Sequence, residues 1–296
     1  MHYHHITTAT FVSRPNRFIA QVRLSDGTEE TVHVKNTGRC RELLIPGCTV
    51  YLEKSENPNR KTLYDLVAVE KRYDQVSNWQ NYPSAFRKRM KNGMEKSLLF
   101  NIDSQAPNKV VLEWLQTQGY SKIKPEYTFG NSRVDFYLEK TDATTGKTEK
   151  FLMEVKGCTL EVEGVGYFPD APTERGVKHL NELAAAVSKG YKAILAFVIQ
   201  MEGVEKVLPN TKTHPEFAAA LENAQNAGVE VWFFLAKFSQ IIFILAFPLA
   251  PVSRSRSAVP RLGTLGPLPQ PERLLKICSR WSQTLQGGCL RHRSIA

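Results

Sequence analysis

The chain reads as an α+β protein, an N-terminal OB-like β-barrel followed by an α/β domain with a mixed central sheet. Two observations predict this. Up to about residue 76, apolar and polar side chains alternate in short runs broken by turn residues, which is the two-residue period of half-buried strands. From Pro107 the period lengthens to that of helices, and the runs come in the order helix, three strands, helix, strand, with a further helix and strand. That order lays helices against a mixed sheet. The 296 residues, 42% of them hydrophobic, suffice for one large or two ordinary domains.

Within residues 1–76, strands are expected at Arg17 to Leu24, Glu29 to Val34, Thr49 to Glu53 and Thr62 to Glu70. Turns fall at Ser25-Asp26-Gly27, Asn36-Thr37-Gly38, Pro46-Gly47 and Asn57-Pro58-Asn59, each carrying residues suited to tight reversals. Strands this short suit a five-stranded barrel with a face for nucleic acid. Arg14, Arg17, Lys35, Arg39, Arg41, Arg60 and Lys61 lie in or beside the loops, where they can follow a phosphate backbone, with Phe18 and Tyr51 as stacking groups. The alternative is that the charges are solvated and the aromatics are core. Asn36-Thr37-Gly38-Arg39 offers backbone amides and a hydroxyl beside cations, as an anion-binding nest does, although turn chemistry also accounts for its asparagine and glycine. Residues 77–100, with Trp79, Tyr82 and Phe86 among Arg87, Lys88, Arg89, Lys91 and Lys96, form a basic, aromatic linker or insertion.

The second domain, 101–235, begins with a helix from Pro107 to Gly119 whose apolar residues flank the single acid Glu113. Strands follow at 123–129, 133–139 and 150–156. A helix from Glu174 to Ser188 has an apolar face of Leu180, Leu183, Ala184 and Val187. Next come a strand at Ala193 to Ile199, a helix from Pro215 to Ala227 and a strand at Val229 to Phe234. The stretch Phe151 to Lys156 carries the chemistry. Side chains alternate along a strand, so Glu154 and Lys156 share one face while Phe151, Met153 and Val155 line the other. On the preceding strand Asp135 shares its face with Arg133 and Tyr137, and a hairpin pairing brings it beside Glu154. Two carboxylates and an ammonium suit a hard divalent cation, Mg2+ or Mn2+, and phosphodiester chemistry. The alternative reading is a structural ion pair.

The net charge of +10 and pI near 9.3 favour polyanionic partners. The distribution is uneven: 101–235 carries 14 basic and 18 acidic residues, whereas 236–296 carries nine basic and one acidic. Five scattered cysteines without a CxxC pair indicate neither a disulfide framework nor a zinc site, and suit a reducing, cytoplasmic setting. The Met1 to His5 start lacks a signal-peptide pattern and reads as solvated. The apolar run Phe238 to Ala250 is too short to span a bilayer, so no stable membrane insertion is expected. The remaining tail of 236–296 reads as atypical and disordered, with a membrane-peripheral or interaction role through Ile241 to Leu249 as one alternative function. A homodimer is compatible with all of this.

Five segments together closely resemble the sugar fermentation stimulation protein A family. They are Asn36-Thr37-Gly38, Asn57 to Lys61, Asn131 to Phe136, Glu154-Val155-Lys156 and above all Gly166 to Leu180. The resemblance runs from about residue 11 to 234. It implies an OB-like domain joined to a PD-(D/E)xK nuclease-like domain, DNA binding with little sequence preference mainly through phosphates, and a regulatory link to sugar use, particularly maltose, in bacteria. By matching positions it implies that Asp135 and Glu154 are metal ligands and that Lys156 orients water or stabilises charge. It makes Glu113 the candidate helix acid. Arg175, Lys178 and His179 would contact a phosphate or the site edge. An active Mg2+-dependent endodeoxyribonuclease using Asp135, Glu154 and Lys156 is the alternative within this resemblance.

Overall fold

Five strands at the N-terminus close on themselves. They are β1 (Ile6–Asn16), β2 (Ile19–Leu24), β3 (Glu29–Val34), β4 (Thr49–Lys54) and β5 (Tyr64–Arg72). Neighbours run antiparallel in the order β3-β2-β1-β4-β5, and β3 returns to pair in parallel with β5 through His33–Asp65 and Val34–Leu66. This closure removes the sheet's free edges. Inside, Phe11, Val22, Val32, Val34, Val50, Leu52 and Leu66 are buried, the inward half of each alternation. The N-terminus is anchored by Tyr3, 1% exposed, whose hydroxyl accepts from Asn101 Nδ2 at 2.7 Å, while His2, His4 and His5 are solvated.

The computed structural model describes residues 1–36, 38–72, 87, 97–130, 132–201, 203–204, 206–238 and 243–249, with backbone only at 206, 237–238 and 243–249. All belong to one unit, Met1–Leu262. Thr37, most of the 77–100 linker and residues 250–296 lie outside this set, together with the readings made on them. One part of the linker reading is corrected: Ser97–Asn101 is a strand, β6, which extends the barrel sheet by pairing with β5. Its Leu98 and Phe100 are buried, so hydrophobic burial holds in the barrel sheet a segment expected to connect domains.

The second domain opens with α1 (Ala106–Leu115), followed by β7 (Lys122–Phe129), β8 (Ser132–Thr141) and β9 (Thr148–Cys158). A short hairpin, β10 (Leu160–Val162) and β11 (Val165–Phe168), precedes α2 (Glu174–Ser188) and β12 (Lys192–Ile199). Then come β13 (Lys206–Pro209), α3 (Pro215–Ala227), β14 (Glu230–Phe238) and β15 (Phe243–Leu249). The main sheet has the order β15-β14-β12-β9-β8-β7, parallel from β9 through β14 and antiparallel at both flanks. It is the mixed sheet that the helical and strand periods predict. The two strands of the hairpin and β13 form a separate three-stranded sheet.

Alternation along β9 decides what each face of the main sheet packs against. Phe151, Met153 and Val155 join Val110, Val111 and Leu115 of α1, whereas Leu152 joins Leu180 and Leu183 of α2. The tail reading is also corrected in part. The chain from Ala236 to Phe238 continues β14, and Phe243–Leu249 pairs antiparallel with it. Phe243–Leu249 thus forms an edge strand of the main sheet, its backbone paired on one side with β14. Among the described residues no helix is long and apolar enough to cross a membrane.

Candidate functional site

Asp135, Glu154 and Lys156 do converge, at the point where β8 and β9 part. Registered pairs between the two strands end at Phe136–Met153. The next N–H on β9, that of Val155, donates to Asp135 Oδ2 at 2.7 Å, so a side chain takes up the backbone donor. Strict alternation on β8 breaks here: Phe136 and Leu138 pack with α1, but Val134 clusters with Tyr137 on the other side. Asp135 Oδ1 accepts from Asn108 Nδ2 of α1 at 2.8 Å. Glu154, 2% exposed, accepts from Lys156 Nζ at 2.6 Å through Oε1. The same oxygen is in short contact with His179 Nδ1 of α2. Glu154 Oε2 is buried and has no hydrogen-bond partner.

The two carboxylates have their pKa values pushed apart. Burial, then the neighbouring charge of Glu154, raises Asp135, against the opposing pull of the Val155 N–H, Lys156 and Asn108. Burial alone would also raise Glu154, but the His179 hydrogen bond and the Lys156 charge outweigh it and hold Glu154 below the usual carboxylate range. Such a split between neighbouring acids is a feature of chemical sites, though ion-pair networks also produce it.

The donor set fits a hard divalent cation of the Mg2+ kind. Among the described residues, no three His, Cys, Asp or Glu side chains form a ready-made metal cage. Mg2+ does not need one, since it is commonly held by one or two carboxylates with water and substrate oxygens completing the shell. The orphaned Glu154 Oε2 is what such a cation would satisfy, because a buried carboxylate oxygen without a partner is otherwise costly.

Glu113 is not brought to this site. Its carboxylate is 53% exposed and lies 2.6 Å from the Met1 amine. It stands five positions beyond Asn108, and at about 100° per residue the two project from different flanks of α1. Asn108, which the sequence reading missed, therefore occupies the place expected for the helix acid.

The cations chosen as DNA contacts divide into two groups. Lys35 and Arg60 are committed internally. Lys35 Nζ lies 3.3 Å from Glu53, 3.5 Å from Asp65 and 3.5 Å from Asp103. Arg60 grips Asp65 with both terminal nitrogens, at 2.8 and 2.6 Å. Burial alone would raise the pKa of Asp65, but Arg60, His33 and Lys35 together push it down to about 2. Asn36 is also structural. Buried, it donates to the Ile102 carbonyl at 2.8 Å and accepts from the Gly38 N–H at 2.6 Å, so its role is turn chemistry and not an anion nest.

Arg17, Arg39, Arg41, Lys61, Arg175 and Lys178 are exposed. Arg14, the first of the loop cations read from the sequence, is half-buried and organises several of them. The Arg14 guanidinium donates to the carbonyls of Arg39 and Arg17 at 2.7 Å each and of Asn36 at 2.8 Å, gathering two loops. The Arg39 N–H in turn donates to Asp170 Oδ2 at 2.9 Å, docking the barrel on the segment that leads into α2. Gly38 permits this approach, since a Cβ there would overlap the Asp170 carboxylate. Thr173 caps α2, its Oγ1 accepting from the Gly176 N–H at 3.0 Å. Arg175 then donates from Nε to His179 Nε2 at 3.2 Å, and Lys178 lies 3.7 Å from Glu182 on the solvent side of α2. The barrel loops are thus tied, through Asp170, to the helix that supplies His179 to the carboxylate pair.

Two family descriptions match in this same order, the SfsA N-terminal OB domain over residues 12–79 and the sugar fermentation stimulation protein RE domain over 105–241. A sugar fermentation stimulation protein homolog of Desulfitobacterium hafniense is 49% identical over 235 residues, covering 78% of this chain and 89% of that protein. This chain belongs to the sugar fermentation stimulation protein family. Another homolog, from Ruminiclostridium cellulolyticum, is 45% identical with 78% and 90% coverage. Among solved structures, SfsA of Pyrococcus furiosus in complex with Ca2+ superposes with a TM-score of 0.65 at 26% identity, covering 84% of this chain and 96% of that one. The RE-domain match extends past Phe234, where the sequence reading ends the family pattern, in keeping with the continuation of β14.

Proposed function

We propose that this SfsA-family protein binds DNA with little sequence preference along the junction of its two domains, and that sugar-fermentation stimulation by such a protein works through that binding. The observation that supports this best is the loop cluster held by Arg14 and docked on Asp170. It presents the exposed Arg17 and Arg39 next to the segment that carries Arg175. Phe18, 52% exposed beside Arg17, adds an aromatic face on which an unpaired base can stack. Phosphate contacts of this kind carry affinity without sequence information. Measured binding to single- and double-stranded DNA at several salt concentrations tests the reading. The triple change Arg17→Ala, Arg39→Ala, Arg175→Ala is expected to weaken binding to all sequences alike and to flatten the salt dependence by about three in log–log slope. Binding unchanged in that variant would sink the junction surface.

A second reading, cleavage of DNA, is favoured by the buried and unpartnered Glu154 Oε2. Asp135 and Glu154 would hold Mg2+ or Mn2+; the solved structure of the Pyrococcus relative is itself a complex with a divalent cation, Ca2+. Such a cation, when bound, polarises a phosphoryl oxygen and makes its water a stronger nucleophile. The chain's own residues do the rest. Asn108 and the Val155 N–H fix the Asp135 carboxylate. Lys156, only 16% exposed in its side chain, keeps an ammonium at the carboxylate pair, where it offsets charge on a phosphorane-like transition state. Relaxation of supercoiled plasmid with Mg2+ or Mn2+ is expected, and is expected to vanish with EDTA and in Glu154→Gln. Activity persisting in either case would place the chemistry elsewhere.

A further inference from the structure

His179 is buried at 6% exposure between the carboxylate pair and the exposed Arg175, and neither reading above uses its imidazole. Its hydrogen bonds determine its tautomer. Arg175 Nε, which can only donate, points at His179 Nε2 from 3.2 Å. Nε2 must then carry the lone pair, and the ring proton sits on Nδ1. Nδ1 faces Glu154 Oε1 in a short contact, so it donates to that oxygen. The 3.5 Å separation between Lys156 Nζ and His179 Nδ1 is accordingly a meeting of two donors around one acceptor. Lys156 makes its own bond to the same Oε1 at 2.6 Å.

Two donors therefore converge on Oε1 and none reaches Oε2, although both oxygens are buried. A glutamate's terminal torsion is broad when nothing restrains it. Here the pair of donors restrains it, and the arrangement singles out one oxygen. We infer that His179 is a positioning residue: its Nδ1–H, set in that tautomer by Arg175, locks Glu154 so that Oε2 is the oxygen offered to a divalent cation. This rests on the cation reading of Asp135 and Glu154 and deepens it. A hydrogen bond to a liganding carboxylate is the kind of outer support whose removal costs metal sites about 10–100-fold in affinity or activity.

The test uses the full-length protein without DNA and with Mn2+ as the probe, measured by calorimetric titration and by the Mn2+-dependent shift of the thermal unfolding midpoint. His179→Ala is expected to weaken Mn2+ binding about 10–100-fold. His179→Asn places an amide N–H where the imidazole Nδ1–H stood and is expected to restore affinity close to that of the unmodified protein. His179→Gln places its amide where Nε2 stood and is expected to behave like His179→Ala. A purely structural histidine would not distinguish the two amides. Wild-type affinity in His179→Ala, or equal losses in the Asn and Gln variants, overturns the positioning role and leaves the cation reading intact. The Asn and Gln comparison decides the matter if His179→Ala does not fold. Failure of the unmodified protein to bind Mn2+, or binding undiminished in Glu154→Gln, overturns the cation reading and the positioning role together.

Discussion

Replacing Asp65 by asparagine should remove stability in a pH-dependent manner that identifies what Lys35 and Arg60 are for. Asp65 is 5% exposed and accepts from Arg60 at 2.8 and 2.6 Å and from His33 Nδ1 at 2.8 Å, with Lys35 Nζ at 3.5 Å. These partners outweigh the burial that opposes them and lower its pKa from 3.8 to about 2. The sign follows from which state takes up the proton first. Above about pH 5 the carboxylate is ionised whether the chain is folded or not, and the whole stabilisation is present. As pH falls below the ordinary value the unfolded chain protonates first, and the contribution drains away until the folded carboxylate protonates near pH 2. At about 1.4 kcal/mol per pKa unit the shift corresponds to roughly 2 kcal/mol. Urea unfolding followed by far-UV circular dichroism should therefore show Asp65→Asn less stable than the unmodified protein by roughly that amount at pH 7, with the gap shrinking steadily from pH 4 to pH 2. A gap that stays constant over this range would refute the reasoning, since it would mean that the loss comes from packing and not from the paired charge.

Two further outcomes follow from the same geometry. Lys35→Met and Arg60→Met should lower stability yet leave the salt dependence of DNA binding unchanged, whereas Arg41→Ala and Lys61→Ala should each reduce its slope by about one and spare stability; the reverse pattern in filter-binding titrations would return Lys35 and Arg60 to the DNA surface. Gly157→Ala should cost about 1–3 kcal/mol in urea unfolding. A Cβ there would overlap Gln200 Oε1 and stand 3.0 Å from Pro107 Cγ, and Gln200 Nε2 already bonds the Asn101 carbonyl and side chain and the Asp103 carbonyl. An unchanged unfolding midpoint would show that this buried amide yields freely.

The sequence by itself determined the periodic features. The alternation that closes the barrel, the placement of Glu154 and Lys156 on one face of β9, and the apolar face of α2 were all legible, because each depends on geometry repeated every two or 3.6 residues; the approach of Asp135 was expected from a hairpin register, but its side chain makes the contact where that register ends. What the tertiary structure decided was which polar groups meet across long separations. Lys35 and Arg60 look like any loop cations until Asp65 and Asp103 are folded against them. Asn36 looks like part of an anion nest until the Ile102 carbonyl arrives. The choice of Asn108 over Glu113 turns on the rotation of one helix about its axis, and the choice of Arg17, Arg39 and Arg175 as a joint surface turns on a bond from Arg39 to Asp170, 131 residues away. Charges and hydrogen-bond donors satisfy one another at a few ångströms wherever the chain brings them, and no local period records those encounters. The tautomer of His179, and with it the identity of the free oxygen on Glu154, belongs to that second class.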